Sequence, residues 1–161
     1  MGVKITKDNV SVVLRSIQQL ASNEVLVGIP ATTTERQDGE PINNATIGYI
    51  QETGSPANNL PARPFLVPGA QKALPQAEAL MKKGAKAALD GNRDIADSAL
   101  HAAGLAAQNS VRATINAGVS PALAEATLVN RRRRGRTGTV PLIDTGSLRN
   151  AITYVIRPKR T

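Results

Sequence analysis

Few side chains in this 161-residue chain are suited to covalent or acid–base chemistry. There is no cysteine and only one histidine, His101, so neither a thiolate nucleophile nor a Cys/His metal cage can be assembled. His101 lies inside a helical pattern without a second histidine at ligand spacing, and it reads as a helix-packing or surface residue. Asp90, Asp94 and Asp97 gather where that helix begins, and carboxylates are favoured there by the positive end of the helix dipole. Ser147 follows a glycine, but Gly146-Ser147-Leu148-Arg149 lacks the second flanking glycine of a nucleophile elbow. No glycine pattern of the phosphate-cradling kind occurs. The expectation is a protein that is not an enzyme and holds no cofactor and no metal.

The stronger chemical signature is basic. Lys and Arg number 20 against 12 Asp and Glu, a net charge of +8 that suits a polyanion or an acidic protein surface. Much of it is concentrated in Arg131, Arg132, Arg133, Arg134 and Arg136, with Arg157, Lys159 and Arg160 near the end. Guanidinium groups so close repel one another and are costly to bury unpaired, so they must meet solvent or an anion. Three readings follow: a solvated loop, a loop on DNA phosphates that adds affinity without sequence discrimination, or a contact with an acidic groove on another protein. No aromatic residue interrupts the block, which argues against base stacking on a single strand.

The elements that must carry these residues follow from hydrophobic pattern. Hydrophobic residues make up 41% of the chain, enough for one core, yet there is one Phe, two Tyr and no Trp. The core must therefore be aliphatic, and Ala-rich helices can approach closely. Asp8 or Asn9 can cap a first helix to about Ala21, with Val10, Val13, Leu14, Ile17 and Leu20 as its apolar stripe. Glu24–Pro30 reads as a short strand and 31–41 as an exposed polar loop. A short helix capped by Asn43 or Asn44 ends at Gly54, and Ser55–Pro64 is an extended link.

A long helix is expected from about Phe65 to Leu89, burying Ala70, Ala73, Leu74, Ala77, Leu80, Gly84 and Ala88. Pro75 should kink it or mark its true start. A second long helix, from Arg93 to about Asn116, carries the stripe Ala96, Ala99, Leu100, Ala103, Ala107, Val111 and Thr114, and should run antiparallel to the first. Gly118–Pro141 reads mostly as a long mobile basic loop, 142–150 as a capped single turn, and Ala151–Ile156 as a strand. The expected fold is α+β in one domain over 1–161: a small sheet packed against two long helices, an N-terminal amphipathic helix, and long mobile loops. No apolar run approaches the roughly 20 residues of a membrane span and the first residues lack a signal-peptide core, so a protein starting in the cytoplasm without membrane contact is expected.

The most informative stretch runs from Tyr49 through Gly54 to Pro61-Ala62-Arg63-Pro64-Phe65. It is a helix stop, a constrained link and a helix start with an aromatic anchor, in which Arg63 could cap carbonyls or pair with a carboxylate such as Glu52. A helix ending in Glu-x-Gly followed by Pro-Ala-Arg-Pro-Phe resembles the tail-completion or head–tail neck proteins of tailed phages, the family that includes minor tail protein Z-like components. Leu142-Ile143-Asp144-Thr145-Gly146-Ser147-Leu148-Arg149-Asn150-Ala151-Ile152 strengthens the likeness, as does the Val25–Pro30 strand; in order, these features span 25 to 156.

The resemblance implies an α+β virion subunit, assembled in the host bacterial cytoplasm. It implies a homo-oligomeric ring, commonly six-fold, between the head connector and the tail terminator or tail tube, with the genome passing through. Arg63, Pro64 and Phe65 would be structural, and Asp144, Thr145 and Gly146 would fix the turn before the last strand. The arginines fall where the family has a variable loop, so contact with genomic double-stranded DNA is an expectation about this chain alone. The sequence stops soon after the last strand where many relatives continue, which implies a smaller sheet or one completed by a neighbour. The alternatives are a basic DNA-binding or packaging-associated protein and a tail terminator subunit.

Overall fold

Side chains, rather than local sequence alone, set where the helices begin. The computed structural model describes residues 8–31 and 42–159; the expected loop at 31–41 lies outside them except for Ala31. Along the chain come α1 (Val10–Ser22), β1 (Asn23–Gly28), α2 (Asn44–Thr53), a single 3-10 turn (Pro56–Asn58), α3 (Leu66–Leu89), α4 (Arg93–Asn116), α5 (Glu125–Arg133), α6 (Ser147–Asn150) and β2 (Thr153–Pro158). The fold is α+β, with α3 and α4 packed together, β1 and β2 paired as a two-stranded antiparallel sheet, and α1 at the N-terminal side. The chain's contacts group into two compact units. One comprises Met1–Leu26, Leu74–Ala106 and Val155–Thr161; the other comprises Val27–Ala73 and Ala107–Tyr154.

In the first unit the α3–α4 contact is built from small residues. Ala87, Ala88, Ala96, Ala99 and Ala103 are buried with a single larger side chain, Leu100. Backbones approach so closely that a Cβ on Gly84 would lie 2.5 Å from that of Ala99. This explains a departure from expectation: Leu74, assigned to the buried face, is 54% exposed, while Ala73 beside it is buried. A leucine on that face would hold the helices apart. Pro75 lies inside α3, whose start is Leu66.

Helix α1 departs further. Asp8 supplies the cap by accepting the N–H of Val10 at 2.9 Å. The residue it buries is Ser16, whose hydroxyl donates to the carbonyl of Val12 at 3.0 Å. Val10 and Leu14, from the expected apolar stripe, are exposed by 63% and 59%, and Ile17 is exposed as well. At about 100° per residue, the buried side is turned roughly 100° from the centre of that stripe. On that side Arg93 donates to Gln19 at 2.7 Å and Gln19 donates to Asp97 at 3.4 Å, which ties the Ser16–Gln19 side to α4. Arg157 closes the unit by donating to Glu24 at 2.7 Å.

The second unit has a conventional core. Phe65, Val111, Ile115, Leu148 and Ile152 are buried together, with Val27, Ile47 and Leu142 packed around them. Here too α3 and α4 meet closely, since a Cβ on Gly69 would lie 2.6 Å from Cα of Val111. Arg112 reaches from α4 to the carbonyls of Asn150 at 3.3 Å and Ile152 at 2.7 Å, fixing the turn that feeds β2.

The expected loop at 118–141 contains α5. Glu125 sits in the first turn and pairs with Arg132, so opposite charges stand at the ends that the helix dipole favours. The N–H groups of Arg134, Gly135 and Arg136 then return to the carbonyls of residues 130–132, closing the helix in a tight turn.

Candidate functional site

The link between α2 and α3 is held by three side chains. Gly54 ends α2 at φ +77°, and a Cβ there would lie 2.8 Å from the backbone nitrogen of Ala62, so only glycine lets the link fold back. The carboxylate of Glu52 accepts the N–H groups of Phe65 (2.7 Å), Leu66 (2.8 Å) and Val67 (3.0 Å), satisfying the otherwise unpaired donors that open α3. Arg63 is buried, and its guanidinium donates to the carbonyls of Pro121 at 2.8 Å and Ala122 at 3.0 Å. Of the two roles open to Arg63, capping carbonyls is the one it fills; Glu52 serves the helix. Pro64 is exposed and Phe65 is 1% exposed in the core.

Asp144, Thr145 and Gly146 form the turn before α6. Gly146 has φ +81°, and Thr145 Oγ1 accepts the N–H of Ser147 at 3.3 Å. Ser147 Oγ in turn accepts from Asn44 Nδ2 at 3.0 Å, tying this turn to the start of α2. Leu148 then enters the same core as Phe65.

The arginine block does not act as one patch. Successive residues of a helix point roughly 100° apart, so a run of arginines divides around the axis. Arg131 turns inward: its side chain is 11% exposed, it donates to the carbonyls of Gly138 (2.8 Å) and Val140 (3.2 Å), and it lies 3.6 Å from Asp144. Arg136 pairs with the other oxygen of Asp144, and Arg132 pairs with Glu125. Arg133 and Arg134 are exposed and form no ion pair among the described residues.

These segments meet around one cleft of about 390 Å³. One wall comes from α2 and the link (Gln51, Leu60, Arg63), the other from α5 and the Asp144 turn (Arg131, Leu142, Asp144). Leu142 has φ +65°, a strained backbone for a leucine, and Asn59 on the opposite wall has φ +52°. Gln51 Oε1 is buried here without a hydrogen-bond partner among the described residues. The arrangement can seat a chain that presents apolar and hydrogen-bonding groups together.

The block and the two motifs were singled out from sequence, but Glu52 as a helix cap and Gln51 as a cleft residue were not. No local signal marks either, because their partners are brought in by the link. His101 is on the exposed side of α4, with Nε2 3.8 Å from Asp97. Among the described residues no three His, Cys, Asp or Glu side chains converge as a metal site would require. No described helix is long and apolar enough to cross a membrane. No family model, curated protein or solved structure matches the chain.

Proposed function

We propose that this chain is a structural subunit of a tailed-phage particle, placed at the neck where the tail joins the head. Copies form a ring, six-fold in the simplest case, that completes the tail and docks on the head connector while DNA passes through its centre. The supporting observation is that Phe65, from the Pro-Ala-Arg-Pro-Phe entry, shares one core with Leu148 and Ile152, from the Leu-Ile-Asp-Thr-Gly-Ser-Leu segment. The two segments that carry the resemblance thus build a single piece of architecture, with the arginine helix attached to it through Asp144. A shared framework of this kind, with side chains spent on capping and turn-fixing, suits a subunit whose work is to present surfaces.

Gold labelling of a C-terminally tagged chain in purified particles tests this placement. Label confined to the head–tail junction agrees with the proposal; label on the capsid faces, at the tail tip, or absent from particles contradicts it.

A second reading, a basic DNA-binding protein, is favoured by one observation: Arg133 and Arg134 are exposed and have no carboxylate partner among the described residues. It requires strong duplex affinity from the isolated monomer that falls steeply with salt. A ring subunit requires that affinity to emerge only when many copies present the pair together.

A further inference from the structure

The carboxamide of Gln51 is out of keeping with its surroundings. It projects from α2 into the cleft, its Oε1 is buried without a partner, and its nitrogen donates to none of the described residues. An unpaired buried acceptor is destabilising, and native chains carry few. A leucine there would remove that cost. Gln is the side chain that keeps a peptide-like group, one acceptor and two donors, facing the cleft.

We infer that this cleft receives an extended, acidic segment of a partner polypeptide. A strand passing Gln51 can accept from its side-chain nitrogen, and a half-turn of the amide brings Oε1, closed off as it stands, round to accept the strand's N–H. Ile47, Leu60, Leu142 and Leu148 line the same space and provide a seat for an aliphatic side chain. The volume of about 390 Å³ lies in the range of sites that enclose a ligand group.

Charge selects the segment. Arg63 and Arg131 line the cleft against one carboxylate, Asp144, and both oxygens of Asp144 already face arginines. Arg133 and Arg134, at the end of the same helix, pair with no carboxylate among the described residues. The unmatched charge is positive, so the complementary segment is acidic. A nucleic-acid strand fits less well, because the walls are aliphatic and offer no aromatic face for a base.

The test is selection of a random 12-residue peptide display library on the full chain, followed by anisotropy titration of the enriched peptides. The expected winners combine an aliphatic residue with two or more Asp or Glu. Gln51→Leu should bind them about ten-fold more weakly while unfolding at an equal or higher temperature, a pairing that a purely structural Gln51 would not give. Should Gln51→Leu fold poorly, Thr127→Trp, which fills the cleft from α5, serves as the second variant and should weaken binding at least as much. No enrichment, winners without acidic residues, equal binding to both cleft variants, or displacement by a single-stranded oligonucleotide at equal concentration would each overturn the inference.

Discussion

Glu52 Oε2 accepts the backbone N–H of Phe65 at 2.7 Å, across thirteen residues of chain. A carboxylate at the end of one helix thereby caps the start of another and seats the aromatic anchor of the core. Glu52→Ala should cost about 1–2 kcal/mol of unfolding free energy, the cost of losing a cap with its favourable dipole interaction. Urea denaturation beside Glu78→Ala, an exposed residue of α3, checks it; equal midpoints for the two variants would refute the capping role.

Gly84→Ala sets two effects against each other. Alanine is the better helix former by about 1 kcal/mol, but its Cβ would sit 2.5 Å from that of Ala99, and overpacking costs about 1–3 kcal/mol. Packing should win, with a net loss of about 1 kcal/mol. Gly138→Ala, which meets nothing within 4 Å, should change the thermal midpoint little. A stabilised Gly84→Ala would mean the helices can separate freely.

The arginines should separate by role. Arg131→Ala loses two carbonyl partners and the contact with Asp144, and should destabilise by about 1–3 kcal/mol. Arg133→Ala and Arg134→Ala should stay within about 0.5 kcal/mol of the parent. Reversing Arg133 and Arg134 together should impair head–tail joining or DNA retention in the particle. Unchanged infectivity would remove any role for the pair in binding an anion.

Helix α1 makes a prediction opposite to its sequence pattern. Leu14→Gln, on the apolar stripe, should change stability by no more than about 0.5 kcal/mol because Leu14 is exposed. Ser16→Leu, on the polar side, should cost about 1–3 kcal/mol because Ser16 is fully buried. Chemical denaturation that ranks the two the other way would show that the helix packs on its stripe.

The helical hairpin was legible in the sequence because small residues recur at helical spacing through Ala96, Ala99, Ala103 and Val111, and nothing else explains that pattern. The two motif segments were legible for a related reason: Pro61 and Pro64 restrict the backbone locally, and Gly54 and Gly146 allow the positive φ their turns need. Periodicity revealed that α1 is amphipathic but not which side meets a neighbour, since the Arg93–Gln19–Asp97 contacts on the buried side are long-range. Helix α5 was hidden because its residues are mostly polar and its arginines face all directions. The cleft was hidden for a deeper reason. Its walls come from positions 47 to 63 and 123 to 148, and only the folded link between α2 and α3 brings Gln51 opposite Arg131.

Placement at the neck would be decided by negative-stain imaging of particles of a phage that encodes this chain, made with an early stop codon in its gene. Filled heads should accumulate apart from otherwise formed tails. Intact, infectious particles would contradict it, and empty heads would move the chain's role to packaging or DNA retention.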